Sequence, residues 1–488
     1  MSRTGQIDTT SGVYQDEAQR AFQMARRAHW DGVARASDRW TGLGGYYHRR
    51  LTEVYQFLVP RGQSIVELGC GRGDLLAALE PATGVGVDFS SEAITRARMR
   101  HPSLQFIESD VQDLELDLRF DIVILSDLVN DVWDVQTVFE KIRQLTHPRT
   151  RIILNSYSRL WELPLGVAKR LNLATPTLDQ NWLTVEDVTN LLTLTDFEVI
   201  KHWPEVIWPV PTPLLADFSN RVLARLWPFR HLALSNFIVA RPKPRPRPAA
   251  PSVSVVVAAR NEAGNVPALF SRLPKLGTWT ELIFVEGHSK DNTYESIQKA
   301  IAEHPDQRCQ LLKQSGVGKG NAVREGFQKA NGDILMILDA DLTVPPEDLP
   351  RFYEALCSAK GEFINGVRLV YPMEKQAMRF ANLLGNKFFG LAFSWLLNQN
   401  VKDSLCGTKV LWRADYQLIS ANRAYFGNFD PFGDFDLLFG AAKLNLKITD
   451  LPIRYRERRY GSTQIQRWRH GWLLLKMVVF AARRLKFR

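Results

Sequence analysis

A chain of 488 residues is too long for one ordinary hydrophobic core, so two or three domains are expected. Its 45% apolar and 23% charged residues are those of folded globular protein and exclude a disordered chain. The net charge of +10 is unevenly placed: residues 454–488 hold eleven Lys/Arg against one Glu, so this tail alone carries +10, and residues 241–248 add four more basic side chains. A basic tail on near-neutral domains suits an anionic membrane surface or nucleic acid. Cys70, Cys309, Cys357 and Cys406 are scattered, with neither a CxxC pair nor zinc spacing, which predicts a reducing cytoplasm. The polar start, with Asp8, Asp16 and Glu17, predicts no signal peptide, and no apolar run reaches the roughly twenty residues of a spanning helix.

In chain order, residues 1–60 read as helical, with an aromatic and basic cluster at His29, Trp30, Trp40, Tyr46 and Tyr47 that covers a core edge or lids a site. Buried strands are expected at 64–68, 85–89, 104–108, 120–126 and 151–155, with helices at 75–80, 91–100 and 135–145 between them. This alternation predicts a parallel, doubly wound sheet. Residues 158–240 begin irregularly, and Thr184-Val185-Glu186-Asp187 reads as a capped helix start. Arg241-Pro242-Lys243-Pro244-Arg245-Pro246-Arg247-Pro248 reads as an extended spacer, because alternate prolines suit neither a helix nor a sheet interior. Alternation then restarts, with strands at 253–258, 282–285, 310–313 and 333–338 and helices at 265–276, 292–303 and 320–330. The expected layout is a first domain at 1–240 with its core at 45–160, a linker at 241–252, a second α/β domain at 253–460 and a basic amphipathic helix at 461–488.

Glu67-Leu68-Gly69-Cys70-Gly71-Arg72-Gly73 follows the first strand and opens a helix. Glycines there let the backbone turn tightly and approach a ligand. Asp88 closes the second strand, where a carboxylate accepts from both hydroxyls of a ribose, and Asp110 follows the third, within reach of an adenine amine. With Phe120 to Asp127, these segments resemble class I S-adenosylmethionine-dependent methyltransferases over residues 45–160. The resemblance implies S-adenosyl-L-methionine as cofactor, with Glu67, Gly69 and Gly71 at its methionine end, Asp88 on the ribose and Asp110 on the adenine, and Gly73 also among the cofactor-binding residues. Asp127, Asp131 and His147 are base candidates, each with a structural alternative. The Asn/Asp-Pro-Pro-Tyr/Phe set of amino-directed DNA methyltransferases and a Pro-Cys nucleophile are both lacking.

In the second half, Ala258-Ala259-Arg260-Asn261-Glu262 follows a strand, Glu286 to Thr293 follows the next, Gly318-Lys319-Gly320 precedes a helix, and Asp339-Ala340-Asp341 ends a further strand. Acids at a strand end suit a hard divalent cation that offsets a leaving diphosphate. In this order, and with Arg368, Asp403 to Lys409 and Phe432 to Asp436, the segments resemble family-2 inverting glycosyltransferases. Within that family they are similar to dolichol-phosphate and other polyprenyl-phosphate sugar synthases. The resemblance implies a GT-A type, Rossmann-like fold after the Rossmann-like methyltransferase fold. It implies a nucleotide-sugar site at Glu262, Glu286, Lys319, Asp339 and Arg368, with Asp339 and Asp341 on Mg2+ or Mn2+. Asp403, Asp434 and Asp436 are the catalytic candidates. A sugar hydroxyl acceptor needs one of them as base, whereas a lipid phosphate needs them only to position the sugar.

The expected protein is thus a bifunctional enzyme, cytoplasmic and peripheral on the inner face of the plasma membrane. It transfers a sugar from a nucleotide-sugar to a polyprenyl phosphate or glycan. It also methylates, with the same glycan as a candidate acceptor. The alternatives are a glycosyltransferase with a non-catalytic, cofactor-binding first half, and a nucleic-acid methyltransferase with an accessory domain. No nucleic-acid partner is expected, since no RNA- or DNA-binding module is recognisable.

Overall fold

The computed structural model describes residues 9–36, 42–171, 174–244, 250–371, 380–426, 433–458, 460 and 467–488. Trp40, Arg245 to Pro248 and Phe432 lie outside the described residues, as do the side chains of Arg467, Trp468 and Arg469. The chain forms two compact units, Met1–Lys243 and Pro244–Arg488.

In the first unit the strands are β1 (Ser64–Leu68), β2 (Thr83–Asp88), β3 (Gln105–Glu108), β4 (Phe120–Ser126), β5 (Thr146–Tyr157), β6 (Phe197–Glu205) and β7 (Ser235–Pro242). They form one sheet in the order β3-β2-β1-β4-β5-β7-β6. The first five are parallel, and β7 runs antiparallel to both β5 and β6. Ile65, Val66, Leu68 and the run Val123-Ile124-Leu125 are buried, as strands covered on both faces must be. Two apolar clusters follow, one built on Val66, Val123 and Phe139, the other on Ile65, Ile124 and Tyr55. The helix start at Thr184 is as expected. The Thr184 hydroxyl accepts from the Asp187 amide at 3.1 Å, and the Asp187 carboxylate accepts from the Thr184 amide at 2.9 Å, a reciprocal capping box.

The antiparallel pair β6/β7 was not expected. Lys201, His202 and Pro204 break the apolar alternation of β6, so the segment does not read as a strand. The start of the spacer moves with it. Arg241 and Pro242 complete β7 and pair with Glu198 and Phe197 of β6. Arg241 is 2% exposed because Glu198 on the neighbouring strand accepts from its Nε and Nη2 at 3.0 and 2.9 Å. A basic residue among prolines reads as solvated, but a carboxylate across the strand lets it be buried.

The second unit contains β8 (Val253–Ala259), β9 (Thr280–Glu286), β10 (Arg308–Lys313), β11 (Ile334–Ile337), β12 (Phe363–Val367), β13 (Lys409–Trp412) and β14 (Ile448–Pro452). Their order is β10-β9-β8-β11-β13-β12-β14. β10, β9, β8 and β11 are parallel, β13 is antiparallel to β11 and β12, and β14 is parallel to β12. The C-terminal helix Arg467–Ala481 packs one side on this unit: Leu474, Met477 and Ala481 join a core cluster with Phe393, Phe435 and Phe439. Among the described residues, no helix is long and apolar enough to cross a membrane.

Removing the cap should loosen one helix without disturbing the sheet. Thr184→Ala is expected to weaken Val185–Leu194 by about 1 kcal/mol, seen as about 5-fold faster amide exchange across that helix. Unchanged exchange would show that the cap contributes nothing.

Candidate functional sites

Parallel strands send the turns at their C-terminal ends to one edge of the sheet, which is where ligands of such sheets sit. In the first unit that edge borders a cavity of about 340 Å3. Gly69, Gly71 and Gly73 have φ of 72°, 52° and 74°, a region that side-chain-bearing residues rarely adopt. A Cβ on Gly69 would meet Leu128 at 2.8 Å and one on Gly73 would meet Phe106 at 2.6 Å, whereas at Gly71 it would meet open space. Gly69 and Gly73 are therefore glycine for packing, and Gly71 opens the turn toward the cavity. Asp88 lines the cavity, with Oδ2 accepting from the Gly71 amide at 2.8 Å and Oδ1 from the Ser90 amide at 2.9 Å. Glu67 also lines it and accepts from the Leu76 amide at 3.0 Å. Burial raises both carboxyls, Asp88 to about 6 even with its two amide donors. These positions fit a ribosyl ligand with an amino-acid end.

Asp110 lies just past β3, next to Ser109, whose amide donates to the Asp88 carbonyl at 3.0 Å. Asp110 itself is not among the residues bordering the cavity. Gln23 donates to its Oδ2 at 3.0 Å, and the Gln112 amide donates to its Oδ1 at 2.9 Å. His147 is at the opposite, N-terminal end of β4, 3.1 Å from Asp121. Asp127 and Asp131 do line the cavity. Asp127 has φ 56° just past β4, and its Oδ1 accepts from the Tyr47 hydroxyl at 2.9 Å and from Asn155 Nδ2. Asp131 accepts from Trp30 Nε1 at 2.6 Å and Arg26 Nε at 3.1 Å. Of the N-terminal aromatic cluster, Tyr47 joins the core beside Leu51 and Tyr55, and Trp30 and Tyr47 border the cavity with His48. Burial, with Arg72 nearby, lowers His48 to about 4, so its ring is neutral at pH 7. Trp161 and Lys169 also line the cavity, and they belong to a segment whose sequence carries no motif and reads as irregular.

In the second unit the expected donor-site residues meet at the C-terminal ends of β8, β9 and β11. Glu262 is buried, with Oε1 accepting from Arg458 Nη1 at 3.0 Å and Oε2 from Asn265 Nδ2 at 2.7 Å. Burial raises its carboxyl while Arg458 opposes the shift. Glu286, in register with Ala259, accepts from the Ser289 amide at 2.6 Å. Lys319 opens the helix Lys319–Lys329 and donates to Asp339 Oδ1 at 2.5 Å. Burial pushes the Asp339 carboxyl up, but Lys319 prevails and holds it below its usual range. Asp341 accepts from Arg458 Nη2 at 2.6 Å and from Thr343 Oγ1 at 2.7 Å. Gly407 presses on this cluster: a Cβ there would lie 2.1 Å from Asp339 Oδ2 and 2.4 Å from Lys319 Nζ. Sequence reading missed both Arg458, remote from every motif, and the role of Gly407.

Among the described residues, no three His, Cys, Asp or Glu side chains converge as a metal centre. Asp339 and Asp341 instead offer two hard oxygen donors, each facing a cationic side chain. That set fits an ion arriving with diphosphate and water as its other ligands rather than a caged resident metal.

The catalytic candidates separate. Asp403 is 1% exposed and grips Arg368, accepting from Nε at 2.7 Å, Nη2 at 2.9 Å and the Arg368 amide at 3.1 Å. Its oxygens are committed to this pair and to the Leu405 amide, so it positions Arg368 rather than facing a substrate. Asp434, at the start of the helix Asp434–Lys443, is 3.8 Å from Lys409 and adds to the negative field on Lys319. Asp436 lies apart from it, 3.1 Å from Arg423 and 3.9 Å from Arg324. Burial raises its carboxyl while both arginines oppose this.

Residues 61–196 match the family model described as a methyltransferase domain, and residues 254–416 match that of glycosyl transferase family 2. The chain therefore carries domains of two transferase types in series. A dolichol-phosphate mannosyltransferase of Pyrococcus furiosus is 36% identical over 106 residues, which cover 21% of this chain and 30% of that protein. An undecaprenyl-phosphate 4-deoxy-4-formamido-L-arabinose transferase of Aeromonas hydrophila is 37% identical over 107 residues, covering 21% and 33%. The chain thus spans about a third of the length of these curated relatives. A solved S-adenosylmethionine-dependent methyltransferase from Mesorhizobium loti aligns at 22% identity and a TM-score of 0.31, over 39% of this chain and 96% of its own.

The closeness of Gly407 to the Lys319–Asp339 pair has a direct consequence. Gly407→Ala should displace Asp339 and weaken nucleotide-sugar binding at least 10-fold, with the far-ultraviolet circular dichroism unchanged. Calorimetry with a nucleotide-sugar panel measures it, and wild-type affinity in the variant would refute the crowding.

Proposed function

We propose that the chain is a bifunctional transferase. The second unit moves a sugar from a nucleotide-sugar to a polyprenyl phosphate or glycan. The first methylates with S-adenosyl-L-methionine, and the growing glycan is its acceptor. The observation that carries the reading is the array of Glu262, Glu286, Asp339 and Asp341 at neighbouring strand ends, with Lys319 and Arg458 set among them. The similarity of this unit to lipid-phosphate sugar transferases supports the acceptor class.

Glu262 and Glu286 hold the nucleoside, and Lys319 and Arg368 serve the phosphates. Asp339 and Asp341 receive Mg2+ or Mn2+ with the donor. That cation supplies charge to offset the leaving diphosphate. Asp434, in the electrostatic reach of Lys319, orients the sugar; a lipid phosphate, already anionic, needs no base to attack. In the first unit Glu67, Gly71 and Asp88 hold the methyl donor, whose sulfonium methyl is the group transferred.

The two halves are separated by crossed substitutions. Asp341→Asn should abolish cation-dependent sugar transfer while S-adenosylhomocysteine binding stays intact. Asp88→Ala should do the reverse. Calorimetry and donor turnover with and without chelator measure both. Sugar transfer that survives in Asp341→Asn or in chelator overturns the metal role, and unchanged S-adenosylhomocysteine affinity in Asp88→Ala overturns the ribose assignment.

A lipid acceptor also requires a membrane surface. Leu384, Phe388 and Leu391, one helical face of Phe380–Leu397, are exposed, Leu391 by 74%. The C-terminal helix exposes Trp472, Leu475 and Val479, and Lys476, Arg483 and Arg484 lie nearby in sequence. Apolar faces flanked by basic residues suit the interface of an anionic bilayer, at the cytoplasmic face of the plasma membrane. The protein should therefore float with phosphatidylglycerol vesicles and not with phosphatidylcholine. Equal binding to both, or to neither, contradicts the electrostatic part of this reading.

A further inference from the structure

The chamber bordered by Glu67, Gly71 and Asp88 in the first unit is lined also by Trp30, Tyr47, Tyr157, Trp161 and Leu165. Asp127 borders that chamber just beyond β4. Its backbone is left-handed, an uncommon conformation for a residue with a side chain and one best tolerated by Asp and Asn. One carboxylate oxygen, Oδ1, is held by Tyr47 and Asn155. The other, Oδ2, is buried with no hydrogen-bond partner. The Tyr157 hydroxyl is close enough to act on the Asp127 charge as a hydrogen-bonding neighbour, yet no bond within ordinary limits reaches Oδ2, and Ser235 lies 3.3 Å from the Tyr47 hydroxyl. A buried carboxylate oxygen without a partner is costly, and a fold retains one where it serves a ligand.

We propose that Asp127 is the catalytic base of methyl transfer and that the acceptor group is a hydroxyl, whose proton is received by Asp127 Oδ2. The inference rests on the methyltransferase reading of this unit and deepens it. The acceptor oxygen forms the new O–C bond while the C–S bond of the sulfonium donor breaks, its electron pair remaining on sulfur. The O–H proton passes to Oδ2, and the resulting carboxylic acid returns it to solvent.

The surroundings select the acceptor. Glu67, Asp74, Asp88, Asp127 and Asp131 line the cavity together with Arg72 and Lys169, so charge alone does not exclude an anion, but a carboxylate or phosphate acceptor is already deprotonated and would offer Asp127 no proton to take. An ammonium would be held protonated by the same acids and would have no lone pair to attack with. A hydroxyl is neutral, keeps its lone pair, and suits walls of tryptophan and tyrosine. Burial also raises the basicity of Asp127, to a pKa of about 7, against the pull of Tyr47, Asn155 and Tyr157. Among the charged and titratable groups that share the cavity, burial raises Glu67 and brings Asp88 to about 6, while Arg72 and Lys169 supply positive charge. Tyr47 and Tyr157 are pushed well above their usual value, His48 is lowered to about 4, and Asp131 is raised but paired with Arg26. As the base must be ionised, transfer should fall about tenfold per pH unit below about 7 and level off above it.

The test compares the full-length wild type with Asp127→Asn, an isosteric change that keeps the residue suited to its left-handed backbone, and with Asp127→Glu. Tritiated-methyl S-adenosylmethionine is supplied with the lipid-linked and soluble glycan fractions of a bacterial extract, and the linkage formed is identified by hydrolysis and mass. S-adenosylhomocysteine affinity is measured in parallel, and the carboxylic-acid infrared band absent from Asp127→Asn is followed against pH. The expected result is O-methyl product in the wild type and a loss of about 100-fold or more in Asp127→Asn. S-adenosylhomocysteine affinity should not change, and the infrared band should titrate near 7. Partial activity in Asp127→Glu supports the base. An Asp127→Asn protein that methylates at the wild-type rate, or an N-methyl or ester product, overturns the proposal and leaves the methyltransferase reading standing. A wild type that binds no S-adenosylhomocysteine, or binds it without transferring methyl to any fraction, overturns that reading and the base with it.

Discussion

Both units depend on one constraint: a carboxylate at the end of a parallel strand leaves the sheet at the same edge as its neighbours. The strands β1, β2 and β4, and likewise β8, β9 and β11, are buried on both faces and have no freedom to present side chains to solvent along their length. Their C-terminal turns are the first positions where polar groups can gather. Glu67, Asp88 and Asp127 gather at one such edge, and Glu262, Glu286 and Asp339 at the other. Burying acids so close together is unfavourable unless each charge is met.

The two units meet it differently. In the second, cationic side chains do so. Lys319 faces Asp339, Arg368 is clasped by Asp403, and Arg458 bridges Glu262 and Asp341, which lie on different strand ends. This arrangement suits a ligand that brings its own charges, anionic phosphates for the basic groups and a divalent cation for the acids. In the first unit the acids face backbone amides, phenols and an amide side chain more than cations, and burial raises Glu67, Asp88 and Asp127. Carboxyls whose ionisation is opposed by burial suit proton transfer and the binding of a cationic or neutral ligand rather than phosphate chemistry.

Much of this was legible in the sequence, for local reasons. β1 and β4 and the helix Ser91–Arg100 have the expected bounds, because continuous apolar runs and a capped helix are local signals. The glycine turn after β1 and the acids ending β2, β9 and β11 could be read from spacing. What was hidden depends on residues far apart in the chain. Arg241 looks solvated until Glu198 arrives on the neighbouring strand. Arg458 reaches Asp341 across more than a hundred residues, and no motif announces it. Asp403 reads as a catalytic acid, yet the fold commits it to Arg368, and Asp110, read as a ligand contact, accepts also from Gln23, a partner far away in sequence. Strand-end spacing says where acids gather, and their partners decide which of them face a substrate.

The central claim is that one chain holds two independent transferase sites. Stoichiometric titration of the full-length protein tests it most directly, first with S-adenosylhomocysteine and then with a panel of nucleotide-sugars in Mg2+, each repeated with the other ligand saturating. The account predicts one S-adenosylhomocysteine and one nucleotide-sugar per chain, with neither isotherm lost when the other site is filled. Binding of only one ligand class, or competition of both for a single site, would contradict it.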